Sequence, residues 1–114
     1  MKYALIIHEN PANHSRRNSP EAAAYWAGWI AYGKALTDAG VMTGGAGLQG
    51  PETATTVRLS TNGHKVQDGP HASSKEILGG FYLIDVPDLD AALKWAARVP
   101  APEGVVEVRP LLQM

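Results

Sequence analysis

The chain has 114 residues, with 10 Lys and Arg against 11 Asp and Glu, 45% hydrophobic residues and no cysteine. That length suits one domain over residues 1–114 with one core, and the composition excludes a disordered or collagen-like chain. A formal charge of −1 supplies no electrostatic footprint for nucleic acid or an anionic membrane. The missing cysteines remove disulfides, thiolate nucleophiles, iron–sulfur clusters and Cys-based zinc sites together.

Residues 3–7 form a short apolar run, too short for a signal peptide or a membrane span, and it stops at His8-Glu9-Asn10-Pro11. It reads as a central strand, and the expected setting is cytoplasmic. Residues 10–19 are polar and turn-rich and read as a loop. Ser19-Pro20-Glu21 then offers an N-cap, a proline at the first helical position and an early acid. With Gly40 as the stop, this predicts a helix over 20–39. Ala22, Trp26, Trp29, Gly33 and Leu36 make its apolar stripe, and Tyr25 and Tyr32 widen it sideways. That is more apolar surface than one sheet face needs, so a ligand or a second subunit is expected against it.

Residues 41–50 read as a glycine-rich strand bending at Gly44-Gly45. The alternation over 55–61, then Asn62-Gly63, then residues 64–67 predicts a β-hairpin. Ser73-Ser74-Lys75-Glu76 resembles a capping box that would start a single helical turn. Residues 81–86 are an apolar strand, and Pro87-Asp88 caps a helix over 89–98 with Leu89, Ala92, Leu93, Ala96 and Ala97 inward. Residues 105–112 are the last strand, closed early by Pro110. The order β-α-β, hairpin, β-α-β predicts a ferredoxin-like α+β sandwich with both helices on one face of an antiparallel sheet. Nothing else in the chain can cover the other face, so a homodimer is expected.

Two nucleotide-binding patterns fail on context. Gly45-Ala46-Gly47-Leu48-Gln49-Gly50 fits the dinucleotide fingerprint, but a hairpin follows where a helix must open. The segment Gly28 to Lys34 fits a phosphate-binding loop, yet it lies inside a helix and continues with Ala35. His8-Glu9 starts a zincin-like pattern that Ala12 breaks, and no spacing among His8, His14, His64 and His71 supports a metal site. No metal or cofactor is therefore expected.

Asp68-Gly69-Pro70-His71 sits where the hairpin ends. A carboxylate three residues from an imidazole across a tight turn can orient it for general acid/base work, with an Asx-turn and a solvated His71 as the bland alternative. His8, at the end of the predicted central strand, is the second candidate imidazole. Trp26, Trp29 and Tyr25 either wall a small-molecule site or pack as core and interface. Arg58 and Arg109 are expected on solvated strand faces.

Gly44-Gly45-Ala46-Gly47-Leu48-Gln49, the stretch from Thr53 to Arg58, Asp68-Gly69-Pro70, and the stretch from Lys75 to Asp90 resemble the YCII-related proteins of the DGPF subgroup. So do Trp95 to Pro100 and the terminal Val106-Glu107-Val108-Arg109-Pro110. The resemblance spans the chain and implies a ferredoxin-like fold in a dimeric α/β-barrel arrangement. It further implies a cytoplasmic protein, sometimes encoded beside extracytoplasmic-function sigma factors, with metal-free lyase-type chemistry among its broader relatives. The motif's Phe is His71 here, and the helical His of those relatives has no counterpart among Tyr25, Trp26, Trp29 and Tyr32. Only Asp68 carries over, with His71 or His8 as its partner. Two readings stay open: a homodimeric small-molecule-binding protein with lyase- or isomerase-type acid/base chemistry, or a non-catalytic binding or regulatory module.

Overall fold

The computed structural model describes residues 1–72 and 75–114. Strand β1 (Lys2–Glu9) is the central ruler of the fold. Its side chains alternate, so Tyr3, Leu5, Ile7 and Glu9 are buried while the residues between them are not. A short helix, α1 (Pro11–His14), and a 3-10 turn (Ser15–Asn18) lead into the long helix α2 (Ala22–Asp38). Strand β2 (Met42–Gly47) follows, then the hairpin strands β3 (Thr55–Ser60) and β4 (Gly63–Asp68). Strand β5 (Ile77–Asp85), helix α3 (Leu89–Ala96) and strand β6 (Val105–Pro110) complete the chain.

Four strands make one antiparallel sheet in the order β2-β5-β1-β6, and among the described residues β3 and β4 pair only with each other. This is the expected ferredoxin-like arrangement with the hairpin as an insertion. Tyr3, Leu5, Ile84 and Val86 from the sheet close on Tyr32 and Leu36 of α2 and Ala92 of α3, so both long helices cover the same face. The opposite face carries the cross-strand pairs Ala4–Leu83 and Ile6–Phe81. No described helix covers it.

Several expectations need correction. Residues 10–19 are not a loop: Asn10 accepts the Ala12 N–H at 2.9 Å and Pro11 occupies the first turn, which starts α1. Helix α2 begins at Ala22 rather than Pro20, because Ser19 and Pro20 form a turn closed by the Ala22 N–H on the Ser19 carbonyl. Its buried stripe is Tyr25, Tyr32 and Leu36, with Trp29 partly buried and Trp26 left 42% exposed. The tyrosines go inward because their hydroxyls find acceptors there, on Glu9 and on the Trp95 carbonyl. In α3, Leu89 and Leu93 point outward, while Ala92 is buried and Ala91, Trp95 and Ala96 pack on the core. Trp95 takes the inward place because its ring meets Tyr32 edge-on, at 6.4 Å between centroids. That helix ends at Ala96, not residue 98. The capping box at Ser73-Ser74-Lys75-Glu76 rests on Ser73 and Ser74, which lie outside the described residues.

The fingerprint glycines fall where a nucleotide site is impossible. Gly45 and Gly47 are in β2, and Gly50 opens only a three-residue 3-10 turn, Pro51–Thr53. At Gly45, with φ +143°, a Cβ would sit 2.6 Å from the Phe81 carbonyl oxygen, so the residue serves close strand approach. The segment Gly28 to Lys34 is continuous helix.

Candidate functional site

At the end of β1 the alternation that buries Tyr3, Leu5 and Ile7 delivers a carboxylate, Glu9, into the interior with no exposure. A buried carboxylate is stable only when paired and hydrogen-bonded. Three donors meet that demand. The Tyr25 hydroxyl donates to Oε1 at 2.7 Å, Asn13 Nδ2 donates to Oε1 at 3.1 Å, and Arg17 Nη2 donates to Oε2 at 3.1 Å. They come from three successive elements: α1, the 3-10 turn and α2.

Arg17 ties this node to the sheet. Its Nε donates to the Tyr25 hydroxyl at 2.8 Å, its Nη1 to the Leu48 carbonyl at 2.6 Å, and its Nη2 also reaches the Gly79 carbonyl at 3.4 Å. Gly79 is accessible because β5 bulges there: Ile7 pairs with Gly80 and His8 with Leu78, leaving Gly79 extra. A Cβ on Gly79 would stand 2.3 Å from Glu9 Oε2. The guanidinium also lies 5.0 Å from the Trp26 ring. Burial raises the Tyr25 hydroxyl's pKa above its ordinary value, and the hydrogen bond to Glu9 adds to that. Next to the node, His14 is pulled below the usual imidazole range by burial first and by the Arg17 charge second. Its Nε2 is buried and has no hydrogen-bond partner among the described residues.

Beside this node, on the helix face, a cavity of about 150 Å³ opens between α2 and strands β2 and β5. Ile7, Arg17, Trp26, Trp29 and Tyr82 line it. The Trp29 indole N–H is itself buried, with no acceptor among the described residues. Tyr25 does not line this cavity; its hydroxyl is committed to Glu9.

The candidate imidazoles are on the other side of the sheet. His8 alternates with Ile7 and Glu9 and so points away from the helices. Together with His71 it lines a cavity of about 620 Å³, walled by Leu48, Pro51, Ile77 and Leu78. Two histidines distant in sequence thus share one space. Asp68 is at the exposed end of β4, paired with Thr55, and is not part of that lining. Among the described residues, no hydrogen bond joins its carboxylate to either imidazole. The turn after it is held by the Gly69 N–H on the Ala54 carbonyl, 2.8 Å, and the Thr56 hydroxyl on the Gly69 carbonyl, 2.7 Å. The aromatic residues Trp26 and Trp29 and the imidazoles of His8 and His71 therefore occupy opposite faces of one sheet. They cannot serve one small ligand within a single protomer.

Arg58 and Arg109 are exposed on strands, bonded to Gln67 and Glu107. Among the described residues, no three His, Asp or Glu side chains form a group that could hold a metal ion. Sequence reasoning missed Glu9, Asn13 and Arg17. For Glu9 a signal existed, since it continues the odd-numbered buried positions of β1.

Sheet order, helix placement and the buried carboxylate at the end of β1 define a ferredoxin-like α+β domain with ligand-sized spaces on both sheet faces. The YCII-related domain family matches residues 1–114, and the chain belongs to that family. It is 34% identical to an uncharacterized protein of Rhizobium meliloti (strain 1021), across 97% of this chain and 92% of the other. Among the described residues no helix is long and apolar enough to cross a membrane.

Proposed function

We propose that the chain is a cytoplasmic, homodimeric small-molecule-binding protein in which His8 and His71 transfer a proton on a small organic substrate, in the manner of a lyase or isomerase. One observation carries this reading: both imidazoles line a single cavity of about 620 Å³. That volume falls within the roughly 300–1,000 Å³ of small-molecule sites. Leu48, Ile77 and Leu78 supply apolar walls, and the two imidazoles supply groups that exchange protons near neutral pH. One takes a proton from carbon as the other delivers one to oxygen. Asp68 stands three residues before His71, one turn away and outside the lining of the cavity.

The dimer supports the same site. His8 shares its sheet face with Ala4, Ile6, Phe81 and Leu83, an apolar surface that a second sheet would cover in a dimeric barrel. The partner would then wall the histidine cavity.

The test is deuterium exchange at the carbon beside the carbonyl of small ketones and oxo acids in D2O, followed by NMR. Wild-type protein is expected to accelerate exchange; His8→Gln and His71→Gln each reduce it by about 10²-fold or more, and Asp68→Asn by a smaller factor. Exchange equally fast in both histidine variants refutes the proton-transfer reading. Sedimentation that shows only a monomer refutes the dimer. Co-purification with an extracytoplasmic-function sigma factor, without any exchange, would favour the non-catalytic module instead.

A further inference from the structure

We infer that the β3–β4 hairpin is a clasp for a second copy of this chain: its apolar face packs on the partner subunit and so holds the His71 rim of the histidine cavity. This rests on the proposed dimer and names what completes it. The hairpin register pairs Val57 with Val66 and Leu59 with His64 on one face, and Arg58 with Lys65 on the other. Alternation of this kind belongs to an antiparallel sheet with one face covered and one in water. Within the protomer the apolar face stays open. Every residue of β4 is exposed, and Leu59, Val66 and Val57 are 86%, 62% and 51% accessible. A lone two-stranded hairpin is marginal in water and needs a further strand or a packed surface. The chain has a radius of gyration of 15.8 Å, against about 13 Å for a compact domain of this length, and is only 19 Å thick. The hairpin thus reaches out from a body of one helix layer on one sheet.

Interface size selects a second copy as the occupant. Strands β1, β2, β5 and β6 have 8, 6, 9 and 6 residues, and alternation gives the open sheet face about half of them, roughly fifteen. A stable interface takes about 20–30 residues a side. The sheet face alone falls short, and the apolar side of the hairpin, about six residues, makes up the difference. In a symmetric pair each copy covers the hairpin of the other, so both open surfaces close at once. With Val57, Leu59 and Val66 turned inward, the directly opposed cations Arg58 and Lys65 face water, where their repulsion is screened. The same clasp reaches the histidine cavity. Thr53 and Ala54 before β3, and Pro70 and His71 after β4, all line it. The Gly69 N–H on the Ala54 carbonyl, 2.8 Å, ties the two ends of the hairpin together. A partner that holds the hairpin thereby fixes the strand end that carries His71.

The test joins sedimentation velocity over a range of concentrations to hydrogen exchange of the β3 and β4 amides. Val57→Thr, Leu59→Thr and Val66→Thr together keep strand-forming residues at exposed positions, so the circular dichroism of the protomer should be retained. The dimer dissociation constant of this triple variant is expected to rise by about 100-fold or more, since three apolar side chains lose their cover. Arg58→Thr with Lys65→Thr, on the other face, should change it by less than about threefold. In wild type the protection of the hairpin amides should fall on dilution together with the dimer, and the His71 imidazole resonance should shift over the same range. A dimer as tight in the triple variant as in wild type, or equal weakening from the basic face, overturns the clasp while the sheet-to-sheet dimer stands. Hairpin amides that exchange equally fast at every concentration, in a protein that does dimerise, overturn it too and leave the hairpin to a different protein. A His71 resonance unmoved by dissociation overturns the hold on the cavity. Wild type that sediments only as a monomer overturns the dimer and the clasp together. Should the triple variant fail to fold, the exchange measurement on wild type decides alone.

Discussion

Replacing Arg17 by Met tests whether the buried Glu9 node holds the first third of the chain on the sheet. Glu9 is wholly buried and the Arg17 side chain is only 11% exposed, so the pair is shielded from solvent screening. Removing one partner of a buried ion pair typically costs about 3–5 kcal/mol, because the other charge is stranded. Here Tyr25 and Asn13 still donate to Glu9, which places the cost near the lower end, about 3 kcal/mol. For a domain of this size that lowers the melting temperature by roughly 10–15 °C. Glu9→Leu alone should cost a similar amount by stranding the guanidinium. The double replacement Glu9→Leu with Arg17→Met should cost clearly less than the sum of the two, with a coupling of about 2 kcal/mol or more. Urea unfolding followed by far-ultraviolet circular dichroism measures all three, at several protein concentrations because dimer stability depends on mass action. A loss below about 1 kcal/mol for Arg17→Met, or additive single losses, would refute the reasoning.

Two further outcomes follow from the same corner of the fold. His14 has a folded pKa below its ordinary 6.5, set by burial and by Arg17. Below 6.5 the unfolded chain therefore binds the proton that the folded chain resists, and stability, complete above 6.5, falls as the pH drops toward the folded value. The urea midpoint of His14→Gln should fall less than that of wild type between neutral and mildly acidic pH; parallel curves would remove His14 from the acid response. Gly79→Ala places a Cβ 2.3 Å from Glu9 Oε2, an oxygen held by Arg17. Thermal melting should show a loss of about 1–3 kcal/mol, and a loss within about 0.5 kcal/mol would mean that the carboxylate is free to move aside.

Much of this protein is legible in the sequence because local physics decides it. The two β-α-β halves, the Asn62-Gly63 turn and the Asp88 cap, which accepts the Ala91 N–H at 2.9 Å, depend on neighbours a few residues away. The start of α1 was equally legible in Asn10-Pro11, although the surrounding polar residues read as a loop. What local pattern cannot convey is which aromatic residues of α2 go inward. Helical spacing alone allows either the tryptophan or the tyrosine stripe. The choice falls to Tyr25 and Tyr32 because Glu9 and the Trp95 carbonyl, far away in sequence, wait for their hydroxyls.

The candidate sites divide in the same way. Residue types and local spacing point to His8, His71, Asp68 and the α2 aromatics as chemistry-bearing groups, since an imidazole beside a turn carboxylate can move protons and indoles can stack on a ring. Only the tertiary structure decides their company. Strand alternation sends Glu9 to the helix face and His8 to the other, and the β5 bulge at Gly79 turns a carbonyl toward Arg17. The sheet then parts the indoles from the imidazoles. Composition and periodicity determined one cysteine-free ferredoxin-like domain, because capping, turns and hydrophobic period act locally. The buried ion pair and the two opposed cavities depend on contacts across long stretches of chain, where no local propensity reaches.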